Sequence, residues 1–213
     1  MAMAIETASG HTPRMVWHKD TDLGNPDLIV LPGGFSYGDY LRCGAMAAHS
    51  PVMREVITHA RRGTRILGVC NGFQMLVETQ LLPGALLRNK KLKFICKHVR
   101  LRTETADSPF TGKLGKGTLI DVPVAHGEGN YVADADTVKA LEDQDRIAFR
   151  YCGDDGAVND HANINGSSAN IAGILNAERT ILGMMPHPEN ATQPWQKNTT
   201  GLPLFESIVE ALQ

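Results

Sequence analysis

The sequence has no surplus of charge of either sign: 21 Lys and Arg stand against 23 Asp and Glu, a formal charge of −2. Such a balance supplies no field strong enough to gather nucleic acid or an anionic membrane surface, which leaves small molecules and proteins as the expected partners. No uninterrupted apolar run approaches the roughly 20 residues that span a bilayer. The opening MAMAIETASGHTPR has no basic start, long apolar stretch or cleavage signature, so no secretory leader is expected and the cytoplasm is the expected compartment. Cysteine is sparse. Cys43, Cys70, Cys96 and Cys152 lack CxxC spacing and lack histidines at zinc-finger intervals, which argues against a metal cluster or a disulfide framework. No metal is expected, and Cys43, Cys96 and Cys152 are read as small buried apolar side chains.

Repeats, low-complexity tracts and Pro- or Gly-rich linkers are also missing, so residues 1–213 are expected to form one layered domain. Hydrophobic residues make up 42% of the chain, enough for a substantial core. The runs RMVWH (14–18), DLIVL (27–31) and RILGV (65–69) read as buried strands, because continuous β-branched and aliphatic stretches bounded by turn residues suit a sheet covered on both faces. Ser50 and Pro51 predict a helix N-cap and first-turn proline for a stretch reaching Arg61, with Gly63 as the stop. Strand, helix, strand alternation predicts a parallel α/β sheet with functional loops beyond the strands' carboxyl ends, just after Leu31 and just after Val69. FICKHVRLR, GTLIDVPVAH, RIAFRY, NIAGIL and TILGMM read as further strands, some antiparallel, and residues 204–212 as a closing helix.

Three segments carry chemistry. In ILGVCNGFQML, Cys70 falls between a strand ending at Val69 and a helix running through Met75 towards Thr79. A sharp strand-to-helix turn exposes its central side chain, Gly68 and Gly72 admit close backbone approach, and a helix N-terminus favours a thiolate. A thiolate nucleophile needs a proton carrier and a group that fixes the carrier's tautomer. MMPHPEN offers both in His187 and Glu189, presented after a strand by the stiff Pro186 and Pro188. In LPGGFSYGD, Gly33 and Gly34 let backbone N–H groups turn towards a developing oxyanion, with the Asn71 amide as a second donor.

G-V-C-N-G-F-Q resembles the G-x-C-x-G-x-Q elbow of the class I glutamine amidotransferases, and P-H-P-E resembles their His-x-Glu pair. More narrowly, LPGGFSYGDYLRCGA, KLKFICKHVRLR, VPVAHGEGNY, RYCGDDGAVND, NGSSANIAGILN and GMMPHPEN look like the glutamine-hydrolysing subunits of phosphoribosylformylglycinamidine synthases, over nearly the whole chain. The resemblance implies a flavodoxin-like fold, with a mostly parallel central sheet and helices on both faces. It implies a glutaminase in which Cys70, His187 and Glu189 are catalytic and Gly34 and Asn71 form the oxyanion hole. Gly33, Gln74 and His126 would bind substrate, with Glu128 as a weaker candidate, and Arg42 would contact either substrate or the partner subunit.

The implied partners are glutamine, a large ATP-binding synthetase subunit and a small accessory subunit. Ammonia would be used to convert formylglycinamide ribonucleotide to formylglycinamidine ribonucleotide in de novo purine synthesis. ATP and magnesium would sit on the synthetase, with no cofactor in this chain. Relative to that family the chain opens inside a helix, without the usual first strand, and a truncated reading frame is the expectation that follows. A glyoxalase-like cysteine hydrolase and a non-catalytic docking subunit are the alternative readings.

Overall fold

A computed structural model describes residues 1–35 and 43–213, apart from the side chain of Cys43. Arg42 and most of the FSYGDYLRC stretch lie outside the described residues. Seven strands form the main sheet: β1 (Leu28–Leu31), β2 (Arg65–Val69), β4 (Ile95–Thr103), β5 (Leu119–His126), β7 (Ile147–Cys152), β8 (Ile171–Leu175) and β9 (Ile181–Met184). Their spatial order is β1-β2-β9-β8-β7-β4-β5, and β3 (Ala85–Leu87) pairs separately with β6 (Asn130–Val132). β1, β2 and β9 are mutually parallel, whereas every pairing from β9 to β5 is antiparallel. The alternation leaves β7 and β5 running with the parallel trio, so five of the seven strands share one direction.

Burial follows from this layering. β8 and β9 are buried at every position, and β2 at all but its first, as strands with covering layers on both faces must be. β5 alternates strictly between half-buried and buried residues, the period-2 signature of a sheet with one wet face. The helices are α1 (Ala2–Ser9), α2 (Cys43–Ala48), α3 (Pro51–Arg61), α4 (Asn71–Glu78), α5 (Ala135–Asp143) and α6 (Leu202–Leu212). α3 starts at Pro51 as expected, but the Ser50 hydroxyl donates to the Ala47 carbonyl at 2.7 Å rather than capping the helix. α6 begins two residues earlier than the sequence suggests, with a proline in its first turn.

Two expectations need correction. Residues 14–18 form no strand: Met15 is 79% and Trp17 63% exposed. A strand exists only by pairing, and no strand among the described residues pairs with this segment. Cys96 is exposed rather than buried, because it falls on the wet side of the β4 and β5 pair, whereas Cys152 is buried. The short β3 and β6 pair and α5 were not read from the sequence. α5 is nonetheless capped by Asp134, whose side chain accepts from the Thr137 N–H at 2.7 Å. No helix among the described residues is long and apolar enough to cross a membrane.

Candidate active site

The parallel strands end where the reactive residues begin. Cys70 immediately follows β2 and is the N-cap of α4, with φ 52° and ψ −107°. A β-carbon in that conformation is strained, and such strain persists only where neighbours enforce it. Here the Cys70 N–H donates to the Met184 carbonyl of β9 at 2.8 Å. Gly72 removes the remaining obstacle, since any Cβ there would collide with the Leu31 carbonyl at the end of β1. The thiol is therefore held on a bent backbone that the sheet itself braces, but the exposure expected of the turn is not found: Cys70 is only 4% exposed, because Gly33, His187 and the Ala125 carbonyl close over it.

His187 arrives from the loop after β9. Its Nδ1 lies 2.9 Å from Glu189 Oε1, and both side chains are nearly buried. The carboxylate acceptor fixes the proton on Nδ1. His187 Nε2 is then directed to the interior, buried and without a nitrogen or oxygen partner. Burial works against a charged imidazole, but the Cys70 side chain and the Glu189 carboxylate outweigh it and raise the His187 pKa to about 10. The ring therefore carries a proton throughout the neutral range, beside the Cys70 side chain.

Gly33 lies against both groups: a Cβ there would stand 2.5 Å from His187 Cε1 and 3.2 Å from Cys70 Cβ. Gly34 follows at the exposed turn, and its Cβ position would be 4.0 Å from Asn71 Oδ1. The two predicted oxyanion residues are thus neighbours across the entrance. Asn71 Nδ2 donates to Gln74 Oε1 at 2.6 Å, and Gln74 Nε2 donates to the Glu128 carbonyl at 2.8 Å. This chain of amides pins the loop after β5 to the first turn of α4.

His126 ends β5 and is buried, with Nδ1 3.0 Å from Asn89 Oδ1. Burial and the charge of His187 lower its pKa to about 4, so it is neutral where His187 is charged. β5 also contributes backbone: the Ala125 carbonyl accepts from Cys70 Sγ at 3.8 Å, and the Pro123 carbonyl accepts from the His187 N–H at 2.8 Å. Of the residues singled out in the sequence, Cys70, His187, Glu189, Gly33, Gly34, Asn71, Gln74 and His126 fall in one neighbourhood, and Glu128 joins it through its carbonyl. Asn89 and the carbonyls of β5 were missed. Asn89 had no motif to mark it, and carbonyls carry no sequence signal beyond strand placement. A cleft of about 740 Å³ opens near Arg61, Gln80, Arg146 and Glu178, at the other end of the parallel strands, and holds none of these groups.

A cysteine on a strand-to-helix turn, facing an imidazole and carboxylate pair beside a diglycine turn, is the arrangement of a thiol-dependent amidotransferase of the class I type. Comparison with known proteins agrees. Residues 1–207 match the CobB/CobQ-like glutamine amidotransferase domain family. The phosphoribosylformylglycinamidine synthase subunit PurQ of Rhodopseudomonas palustris strain HaA2 is 56% identical over 214 aligned residues, covering 100% of this chain and 92% of the relative. That of Rhodospirillum rubrum is 55% identical, covering 100% of this chain and 93% of the relative. The solved PurLQS structure from Thermotoga maritima contains a chain 44% identical, superposing with a TM-score of 0.79 over 91% of this chain and 84% of that one. The glutaminase domain of Trypanosoma brucei CTPS, at 14% identity and a TM-score of 0.59, covers 99% of this chain and 84% of that one and shares the fold. The chain belongs to the glutamine amidotransferases and, within them, to the family of phosphoribosylformylglycinamidine synthase subunits named PurQ.

Proposed function

We propose that Cys70, His187 and Glu189 hydrolyse the side-chain amide of glutamine, and that the ammonia serves phosphoribosylformylglycinamidine synthase in purine biosynthesis. The observation that carries the reading is Cys70 on its braced turn beside a His187 protonated well beyond neutrality by Glu189 and the thiol.

In the first step Cys70 Sγ attacks the amide carbon of glutamine, and the N–H groups of Gly34 and Asn71 receive the negative oxygen of the tetrahedral intermediate. His187 gives its Nε2 proton to the departing nitrogen, the C–N bond breaks, and ammonia leaves behind a γ-glutamyl thioester. In the second, neutral His187 takes a proton from water, whose oxygen attacks the thioester. The C–S bond breaks, and glutamate departs as the Cys70 and His187 pair regains its starting protonation. Glu189 holds the ring throughout. Gly33, Gln74 and His126 shape the glutamine pocket.

The partner is a large synthetase subunit that binds formylglycinamide ribonucleotide, ATP and magnesium, joined by a small accessory subunit. This chain needs no cofactor of its own. Ammonia released into water is protonated and lost as a nucleophile, so hydrolysis belongs in the assembled complex and in the cytoplasm. Cys70→Ala, purified in complex with the synthetase, tests the reading. Glutamine-dependent amination should vanish while amination fed by free ammonia persists. Retained glutamine-dependent turnover would mean that this chain only docks, and thioester formation on a substrate other than glutamine would favour a general cysteine hydrolase.

A further inference from the structure

We propose that the segment from Leu87 to Lys97 is a preformed docking surface for an acidic, apolar-centred face of the ammonia-consuming synthetase subunit. The inference rests on the glutaminase reading above and names the patch through which that activity meets its partner. Within this segment Arg88, Lys90, Lys91, Lys93 and Lys97 are all exposed, there is no acidic residue, and none of the five forms an ion pair among the described residues. Taking these five charges away from the chain's −2 leaves −7 on everything else. Positive charge is therefore concentrated on one short stretch of an otherwise acidic protein, an arrangement that orients an acidic partner.

A solvated charge run would be polar throughout and loosely held, and this segment is neither. Leu87, Leu92 and Phe94 are exposed among the cations, Leu92 by 68%. Leu92 has φ 55°, a left-handed backbone costly for a residue with a Cβ, and that backbone carries an apolar side chain in water. Beneath the surface Asn89 is fully buried and fastens the loop from inside. Its Nδ2 donates to the Lys93 and His126 carbonyls, each at 2.8 Å, and its Oδ1 accepts from the Gly129 N–H at 3.1 Å. The Lys90 N–H adds a bond to the Asn165 carbonyl at 2.8 Å. A rigid apolar centre with a basic rim is the composition of a binding face whose ordering cost is already met.

Position selects the partner. Phe94 stacks on Phe35 with ring centroids 6.1 Å apart, and Phe35 directly follows the Gly33 and Gly34 turn. Phe94 also lies 3.8 Å from the Cβ position of Gly127, the residue after His126. The aromatic pair therefore bridges the two loops that border the catalytic pocket. Whatever covers it also covers the loops after β1 and β5 beside Cys70, and the protein that gains by sitting there is the one that consumes ammonia before water protonates it.

The test uses the full chain and its cognate synthetase, with affinity measured across a salt series. The double variant K91E/K93E should bind about tenfold or more weakly at moderate salt, with a shallower salt dependence. Its glutamine hydrolysis in isolation should stay at the wild-type rate. Leu92→Ser should weaken binding while leaving the salt slope unchanged. Lys116→Glu, a charge reversal on another exposed surface, should bind as wild type does. Unaltered affinity in K91E/K93E would overturn the proposal, as would an equal loss in Lys116→Glu. Loss of RNA binding in K91E/K93E with synthetase binding intact would also overturn it, by reassigning the patch. A wild-type chain that hydrolyses glutamine but never associates with the synthetase would remove the surface together with its partner, whereas absent hydrolysis in a stable complex would strike only the catalytic reading.

Discussion

The backbone N–H of His187 donates to the Pro123 carbonyl at 2.8 Å, joining the loop after β9 to a strand four places away in the sheet. β5 is the last strand in spatial order, yet its carbonyls reach both the imidazole's backbone and the Cys70 thiol. The sheet must curl for this to happen. That curl is what converts an open sheet, with reactive residues along one rim, into a pocket walled on the far side by residues 123–129. The geometry of the proposed site therefore depends on backbone from a strand that carries neither Cys70 nor His187.

Glu189→Gln should keep the ring in place but remove the charge that helps hold its proton. With Glu189 the His187 pKa is about 10, and without it that value should fall towards the ordinary histidine range near 6.5. The protonated form is needed when ammonia departs, so the alkaline limb of the pH–rate profile should move to lower pH. The rate of glutamine hydrolysis near neutrality should drop about 10²-fold or more, the scale of positioned acid–base catalysis. Ammonia release measured between pH 6 and about 10 checks both statements. An unmoved alkaline limb would show that Glu189 is not coupled to the ring during turnover.

The placing of Cys70 beside His187 and Glu189 was legible because their chemistry is tied to local pattern. Cys70 between a strand and a helix, with Gly68 and Gly72 around it, and His187 with Glu189 after a buried strand, are recognisable without coordinates. The contribution of β5 was not, since a carbonyl reads the same in every residue and only the curl of the sheet brings residue 123 to residue 187. Asn89 was equally hidden: its importance lies in four bonds, three of them to a segment distant in sequence. Residues 14–18 were misread for the converse reason: their β-prone composition is local, whereas a strand needs a pairing partner, and among the described residues they have none.

Gly33→Ala should damage catalysis far more than stability. The new methyl would meet His187 Cε1 at 2.5 Å, inside van der Waals contact, so the imidazole must move. A displacement of about an ångström in a reacting group can cost on the order of 10²-fold in rate. Gly33 is only half-buried and carries no left-handed φ, so the melting temperature should change little. Steady-state hydrolysis paired with thermal unfolding separates the two effects. A large loss of melting temperature with normal turnover would contradict the placement of Gly33 beside the ring.

Gln74→Ala should act through the pocket wall. Gln74 accepts from Asn71 and donates to the Glu128 carbonyl, so its loss removes one tie between residues 127–129 and the first turn of α4. Leaving a buried amide partner unsatisfied costs about 1 to 3 kcal/mol. The expected signature is a raised KM for glutamine, with a smaller effect on kcat, because the wall binds substrate in ground and transition states alike. Equal falls in kcat and kcat/KM would instead place Gln74 at the reacting atoms.

The two active-site histidines make opposite contributions to stability as pH changes. His187 has its pKa raised to about 10, so its contribution is complete below the ordinary value near 6.5 and is lost as pH climbs through 10. His126 has its pKa lowered to about 4, so its contribution is present above about 6.5 and is lost as pH falls towards 4. Protonating His126 means placing a cation in the core beside the charged His187 ring, and the protein resists by on the order of 3 kcal/mol over that interval. His126→Gln keeps an amide donor for Asn89 but cannot titrate. Urea midpoints measured from pH 7 to about 4 should fall for the wild type and fall distinctly less for the variant, the remaining slope belonging to carboxylates. Parallel slopes would mean that His126 accepts its proton as readily in the folded chain as in the unfolded one, and that the buried bond to Asn89 does not hold it neutral.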